Sequence, residues 1–88
     1  MTDASARPRR PRHPMPGAVR EALAARRLMA AYEARPAYQR NDYLGWIARA
    51  QRSETREQRL NQMLGELTAG DVYMNMPWRP RRARAVEA

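Results

Sequence analysis

Arginine and proline alternate at both ends of this chain, as Arg-Pro-Arg-Arg-Pro-Arg-His-Pro over 7–14 and as Arg-Pro-Arg-Arg over 79–82. Proline removes backbone donors and neighbouring guanidinium groups repel, so neither stretch supports a helix or strand of its own. Apolar residues with a regular period are confined to the chain between them. The sequence therefore predicts a disordered basic tail over 1–13, one folded domain over 14–78 and a second disordered basic tail over 79–88. A unit of about 60 residues buries only about 60% of its unfolded surface. Its core supplies roughly 3–5 kcal/mol net, so each apolar stripe has to be used.

Composition narrows the function classes. The 88 residues include no cysteine and the single histidine His13, which leaves no disulfide framework, thiolate site or histidine cluster. No apolar run approaches the roughly 18 residues of a membrane span. Residues 1–13 lack the apolar stretch of a secretory signal, so a cytoplasmic location is expected. Seventeen arginines against nine acids give a net charge of +8, with no lysine and no phenylalanine. A GC-rich genome accounts for that bias without selection for phosphate recognition. Residues 1–13 carry Arg7, Arg9, Arg10 and Arg12 against Asp3, and residues 77–88 carry Arg79, Arg81, Arg82 and Arg84 against Glu87. Six of the eight net charges thus lie in the two tails.

Between the tails, helical spacing dominates. A first helix is expected from about Pro16 to Ala25, with Val19, Leu23 and Ala22 in a narrow stripe. A second piece, Arg27 to Ala34, places Leu28, Met29 and Tyr32 on one side; it either continues the first helix or breaks from it near Arg26 and Arg27. Pro36 ends this region. The next helix runs from about Ala37 to Gln51, with Tyr43, Ile47 and Ala50 at i, i+4, i+7, flanked by Leu44 and Trp46. Gly45 costs that helix about 1 kcal/mol relative to alanine and marks a close approach of a backbone or ring. The last helix starts at Ser53, read as its N-cap, with Glu54 and Glu57 in the first turn. Leu60, Met63, Leu64 and Leu67 form its apolar face, and Gly70 its stop. Beyond it Val72, Met74 and Met76 alternate with Tyr73 and Asn75, and the sequence holds no second strand to pair with them. An extended arm is expected, laying Tyr73, Met74, Met76 and Trp78 across the helices. The fold class is all-α, a small three- or four-helix bundle with an extended C-terminal arm and disordered Arg/Pro-rich tails.

Catalytic chemistry finds little to work with. Ser5 lies in a tail, Ser53 reads as a cap and His13 falls in the basic arm, so no nucleophile–base pair assembles. Glu54 and Glu57 have metal-compatible spacing but no supporting histidine, and Arg56 and Arg59 stand beside them. The four glycines are scattered, so no phosphate loop forms. No enzyme activity, cofactor, metal or small-molecule ligand is expected. The aromatics Tyr43 and Trp46 read as core, while Tyr38 and Trp78 are less committed. Arg49, Arg52, Arg56 and Arg59 recur at i, i+3, i+7, i+10 across a helix junction. Arg56 is expected to clamp structure, paired with Asp42 or Glu33 or lying on Trp46 or Tyr43. Arg49, Arg52 and Arg59 read as solvated surface. With Trp46, these four arginines are the candidate interaction or clamp surface.

Three stretches carry a family resemblance: Met-Pro…Glu-Ala-Leu-Ala-Ala over 15–25, Arg-Asn-Asp-Tyr-Leu-Gly-Trp-Ile over 40–47, and Arg-Ser-Glu-Thr-Arg-Glu-Gln-Arg-Leu over 52–60. Residues Met15 to Met76 resemble the YdeI/OmpD-associated domain, also called the bacteriocin-protection family. Tyr43, Trp46 and Ile47 fill its TyrxxTrpIle pattern, and Glu54, Thr55, Arg56 and Arg59 fill the next, with Ser53 in place of the usual proline. Val-Tyr-Met-Asn-Met over 72–76 resembles a subset of the family. The resemblance implies a part in resistance to antimicrobial peptides or bacteriocins and a link to porins, with no established reaction. A +8 chain repels cationic peptides, which argues against direct sequestration. The expectation is a non-enzymatic binding or adaptor module for a protein partner that the sequence does not name. The alternative is a nucleic-acid-associated protein whose Arg-rich tails make weak, sequence-independent phosphate contacts, with a steep salt dependence.

Overall fold

A computed structural model describes residues 12–79. The disorder expected of residues 1–11 and 80–88, and with it Arg7, Arg9, Arg10, Arg81, Arg82 and Arg84, lies outside the described residues. Four helices follow in order: α1 (Gly17–Ala25), α2 (Met29–Glu33), α3 (Ala37–Arg49) and α4 (Ser53–Ala69). A two-stranded hairpin, β1 (Val72–Tyr73) and β2 (Met76–Pro77), closes the described chain. The fold is the small helical bundle that the apolar periods predict.

Each helix end has a local cause. Pro16 is extended and caps α1, its carbonyl accepting from Val19 and Arg20 at 3.1 Å. The chain does break after α1. Arg27 adopts φ 59°, Arg27 N–H donates to the Ala24 carbonyl and Leu28 N–H to the Leu23 carbonyl. Those two bonds and the left-handed residue make a Schellman stop, with Leu28 folded back onto the core beside Leu23. Pro36 caps α3 in the same way as Pro16 caps α1, with Gln39 and Arg40 donating to its carbonyl. At α4 the cap position belongs to Arg52, which is extended, and Ser53 is the first helical residue. The expected Ser53 cap is therefore one residue out. The first helical position is also where a proline is best tolerated, which fits the family's usual proline there. Only Glu54 of the two acids falls in that first turn. Gly70 ends α4 at φ 86°, as its position implies.

The core gathers Val19 and Leu23 from α1, Tyr32 from α2, Tyr43, Leu44 and Ile47 from α3, and Met63, Leu64 and Leu67 from α4. None of these is more than 6% exposed. The short link Ala50–Arg52 folds α4 back against α3, and β1 lies on α4.

The segment after Gly70 corrects the expected single arm. It pairs with itself, Val72 opposite Pro77 and Tyr73 opposite Met76. Trp78 N–H closes the ladder on the Asp71 carbonyl at 2.9 Å. Met74 and Asn75 sit at φ 51° and 65°, the paired positive values of a type I′ turn. Tyr73 and Met74 pack on the core, Trp78 is half-buried, and Met76 is 53% exposed instead of lying on the helices.

Candidate binding surface

A buried polar cluster holds the hairpin to the helices. Glu66 lies three residues past Met63 and one before Leu67, so the helical turn carries it to the core side of α4. One carboxylate oxygen accepts the Tyr43 hydroxyl at 2.5 Å and the Met74 N–H at 2.8 Å. The other accepts the Asn75 N–H at 2.8 Å and the Gln62 amide at 3.0 Å. The carboxylate thus supplies the acceptors for both left-handed turn residues. Arg35 completes the cluster. Its guanidinium donates to Gln39 Oε1 and to the Glu66 carbonyl, each at 3.0 Å, and lies 4.5 Å from the Trp78 ring centroid.

Burial pushes the Glu66 carboxyl upward, but the donors Tyr43, Asn75, Met74 and Gln62 outweigh it and hold the group below its ordinary range. Burial and the bond to Glu66 raise the Tyr43 hydroxyl well above its usual value. Such a carboxylate, with donors on both oxygens, latches structure and has no free lone pair to offer a substrate. Sequence reading missed Arg35, Gln39 and Glu66. The available signal was the placement of Glu66 between Met63 and Leu67 on an otherwise apolar face.

The arginine row divides. Arg56 donates to the Ala50 carbonyl at 3.0 Å and the Gln51 carbonyl at 3.3 Å. Arg59 donates to the Trp46 carbonyl at 2.7 Å, and its guanidinium stands 5.2 Å from the Trp46 ring centroid. Both reach back to the end of α3, where carbonyls have lost their helical partners. The partners of Arg56 are therefore backbone carbonyls, in place of Asp42, Glu33 or a ring. Arg59, expected in solvent, is half-buried. Arg49 and Arg52 are exposed, as are Arg12 and Arg79.

His13, assigned from sequence to the basic tail, packs on α3. Its N–H donates to Asn41 Oδ1 at 2.8 Å, and its ring fills the space over Gly45. The close approach implied by that mid-helix glycine is this imidazole. Two grooves flank it. One runs toward the C-terminal half of α3, past Asp42, Gly45, Trp46 and Arg49 to Tyr73 and Met74. The other runs toward the start of α3, past Arg12, Tyr32, Tyr38 and Arg40. Tyr73 stands at the rim of the first, its hydroxyl on Asp42 at 2.7 Å and its ring edge-on to Tyr38 and Tyr43. Among the described residues no helix is long and apolar enough to cross a membrane, and no cluster of His, Cys, Asp and Glu is arranged to hold a metal.

Neither the curated proteins nor the solved structures hold a significant match to the chain. A family model does match, over residues 13–70, from the histidine on Gly45 to the glycine that stops α4. The match covers the four helices and about two thirds of the chain, and the hairpin lies beyond it. The residues of that stretch, including Tyr43, Trp46, Ile47, Arg56 and Arg59, build the core and the α3–α4 junction, and on this match the chain belongs to the bacteriocin-protection, YdeI or OmpD-associated family.

Proposed function

We propose that this chain is a non-enzymatic binding module that docks an acidic protein segment on the face shared by the C-terminal half of α3 and the start of α4. The observation that carries the reading is the division of the arginine row. Arg56 and Arg59 are committed to backbone carbonyls, while Arg49 and Arg52 are exposed beside a groove containing Trp46, Gly45 and Met74. An apolar floor with a cationic rim suits a partner that offers an apolar anchor flanked by carboxylates. The test is capture from native lysate by the full chain and by the double variant Arg49→Glu, Arg52→Glu. A partner lost by the double variant, at unchanged helical circular dichroism, and kept by a chain lacking 1–11 and 80–88 supports the reading. Capture unaffected by the charge reversal sinks it.

A second reading rests on the six net charges in the tails. There the same tail deletion abolishes duplex binding and flattens its salt dependence by about 0.9 logarithmic units per phosphate contact.

A further inference from the structure

The groove at the start of α3 is chemically one-sided. Arg12, His13, Tyr32, Tyr38, Arg40 and Leu44 line it, and no acidic side chain does. Arg40 is held in place: its Nε donates to the Arg35 carbonyl at 3.0 Å, and its terminal nitrogens make no other hydrogen bond among the described residues. Tyr32 is 6% exposed, yet its hydroxyl has no hydrogen-bond partner among the described residues. A buried hydroxyl without a partner is uncommon and marks a place where something polar belongs. Burial raises its proton affinity and the Arg40 charge opposes that, so guanidinium and hydroxyl share one neighbourhood; the Glu33 charge reaches the hydroxyl as well, from outside the groove lining. Ala37, the first residue of α3, also lines the groove, adding the positive end of a thirteen-residue helix. Tyr38 offers a ring that is 51% exposed at the same rim.

We propose that this groove binds a phosphomonoester, with Arg12, Arg40 and the Tyr32 hydroxyl donating to the terminal phosphate oxygens and the Tyr38 ring lying against an apolar organic group. Two guanidinium groups and a hydroxyl exceed what one planar carboxylate uses well, and they match a tetrahedral dianion with three terminal oxygens. The exposed ring favours an organic phosphate over the free ion. The site does not depend on the docking face above, since Arg49 and Arg52 take no part in it.

The test is a backbone amide chemical-shift titration of the full chain at constant ionic strength, with phenyl phosphate, inorganic phosphate and dimethyl phosphate as probes. Saturable shifts at Tyr38, Arg40 and Leu44 are expected with phenyl phosphate. Inorganic phosphate should bind several-fold more weakly, and dimethyl phosphate about tenfold more weakly because it carries one charge and has lost two terminal oxygens to esters. Tyr32→Phe, which keeps the buried ring, should weaken phenyl phosphate about fivefold without lowering the melting temperature, since only a hydrogen bond to the ligand is lost. Arg40→Gln should weaken it about tenfold and Arg49→Gln not at all. Equal binding of dimethyl phosphate overturns the proposal in favour of a nucleic-acid backbone site. Equal binding of inorganic phosphate overturns the organic-phosphate assignment. Shifts that fail to saturate, or a Tyr32→Phe chain that binds like the parent, overturn the site itself.

Discussion

Tyr43 on α3 donates its hydroxyl to Glu66 on α4 across 2.5 Å, and the same carboxylate receives the N–H groups of Met74 and Asn75 from the hairpin. One side chain therefore ties two helices to a turn that would otherwise be strained. A methionine at φ 51° costs about 1–2 kcal/mol against the right-handed conformation, and the two carboxylate bonds offset it.

Glu66→Gln removes the charge and leaves an amide N–H facing the turn donors. A loss of about 2 kcal/mol at neutral pH is expected, because hydrogen bonds to a charged group are involved. Acid acts in the same direction. The folded-state value of Glu66 lies below its unfolded one, so its contribution is present above the ordinary carboxylate range and is lost as pH falls through the folded value. Thermal melts of parent and variant between pH 7 and pH 3 should converge at the acid end. Curves that stay parallel would remove Glu66 from the account.

The alkaline limb has the opposite origin. Tyr43 is raised in the folded state, so its contribution is full below the ordinary tyrosine value of 10.0 and declines as pH rises beyond it. Tyr43→Phe should cost about 1 kcal/mol at pH 7, the hydrogen bond to Glu66 being lost. It should also melt with a shallower decline than the parent above pH 10. Some decline should persist, because Tyr32 is raised as well. An unchanged alkaline slope would contradict the assignment.

The stop of α1 contains an avoidable strain. Arg27 holds φ 59° where glycine is usual. Arg27→Gly removes about 1–2 kcal/mol of left-handed strain, less the roughly 0.4–1 kcal/mol by which glycine loosens the unfolded chain. A net gain of about 0.5–1 kcal/mol is expected in denaturant unfolding. Arg26→Gly is the control, since Arg26 sits at φ −96° and has no such strain to relieve. Equal effects at the two positions would show that the backbone there is ordinary.

What the sequence made legible is what repeats. The stripe Met63, Leu64, Leu67 and the stop at Gly70 placed α4, and Tyr43, Leu44 and Ile47 placed α3. The hairpin stayed hidden because its turn is Met74-Asn75, without the Asn-Gly signal, and is stabilised from a distance by Glu66. Two-residue strands also give no period to read. Arg35 and Gln39 were invisible for a similar reason: a polar residue gives no sign that a partner 31 positions away will bury it. The arginine row was visible as a pattern, but its division into Arg56 and Arg59 at carbonyls and Arg49 and Arg52 in solvent depends on the turn angle between α3 and α4. Gly45 was readable as a close approach, though not the residue that makes it.

That residue gives the last prediction. A Cβ built at Gly45 would lie 2.7 Å from His13 Nε2 and 2.8 Å from its Cδ2, closer than packed atoms allow. Gly45→Ala therefore sets two effects against each other. Alanine gains about 1 kcal/mol of helix propensity in the middle of α3. The methyl expels the imidazole, which also strains the His13 N–H bond to Asn41. In the parent the two should nearly cancel, while the His13 and Asn41 amide resonances move. With His13→Ala already in place nothing opposes the methyl, and Gly45→Ala should stabilise by about 1 kcal/mol. The double-mutant cycle then shows a coupling of about 1 kcal/mol, as expected for residues in contact. A coupling near zero would mean that the imidazole does not occupy the face of α3 in solution, and that Gly45 is there for another reason.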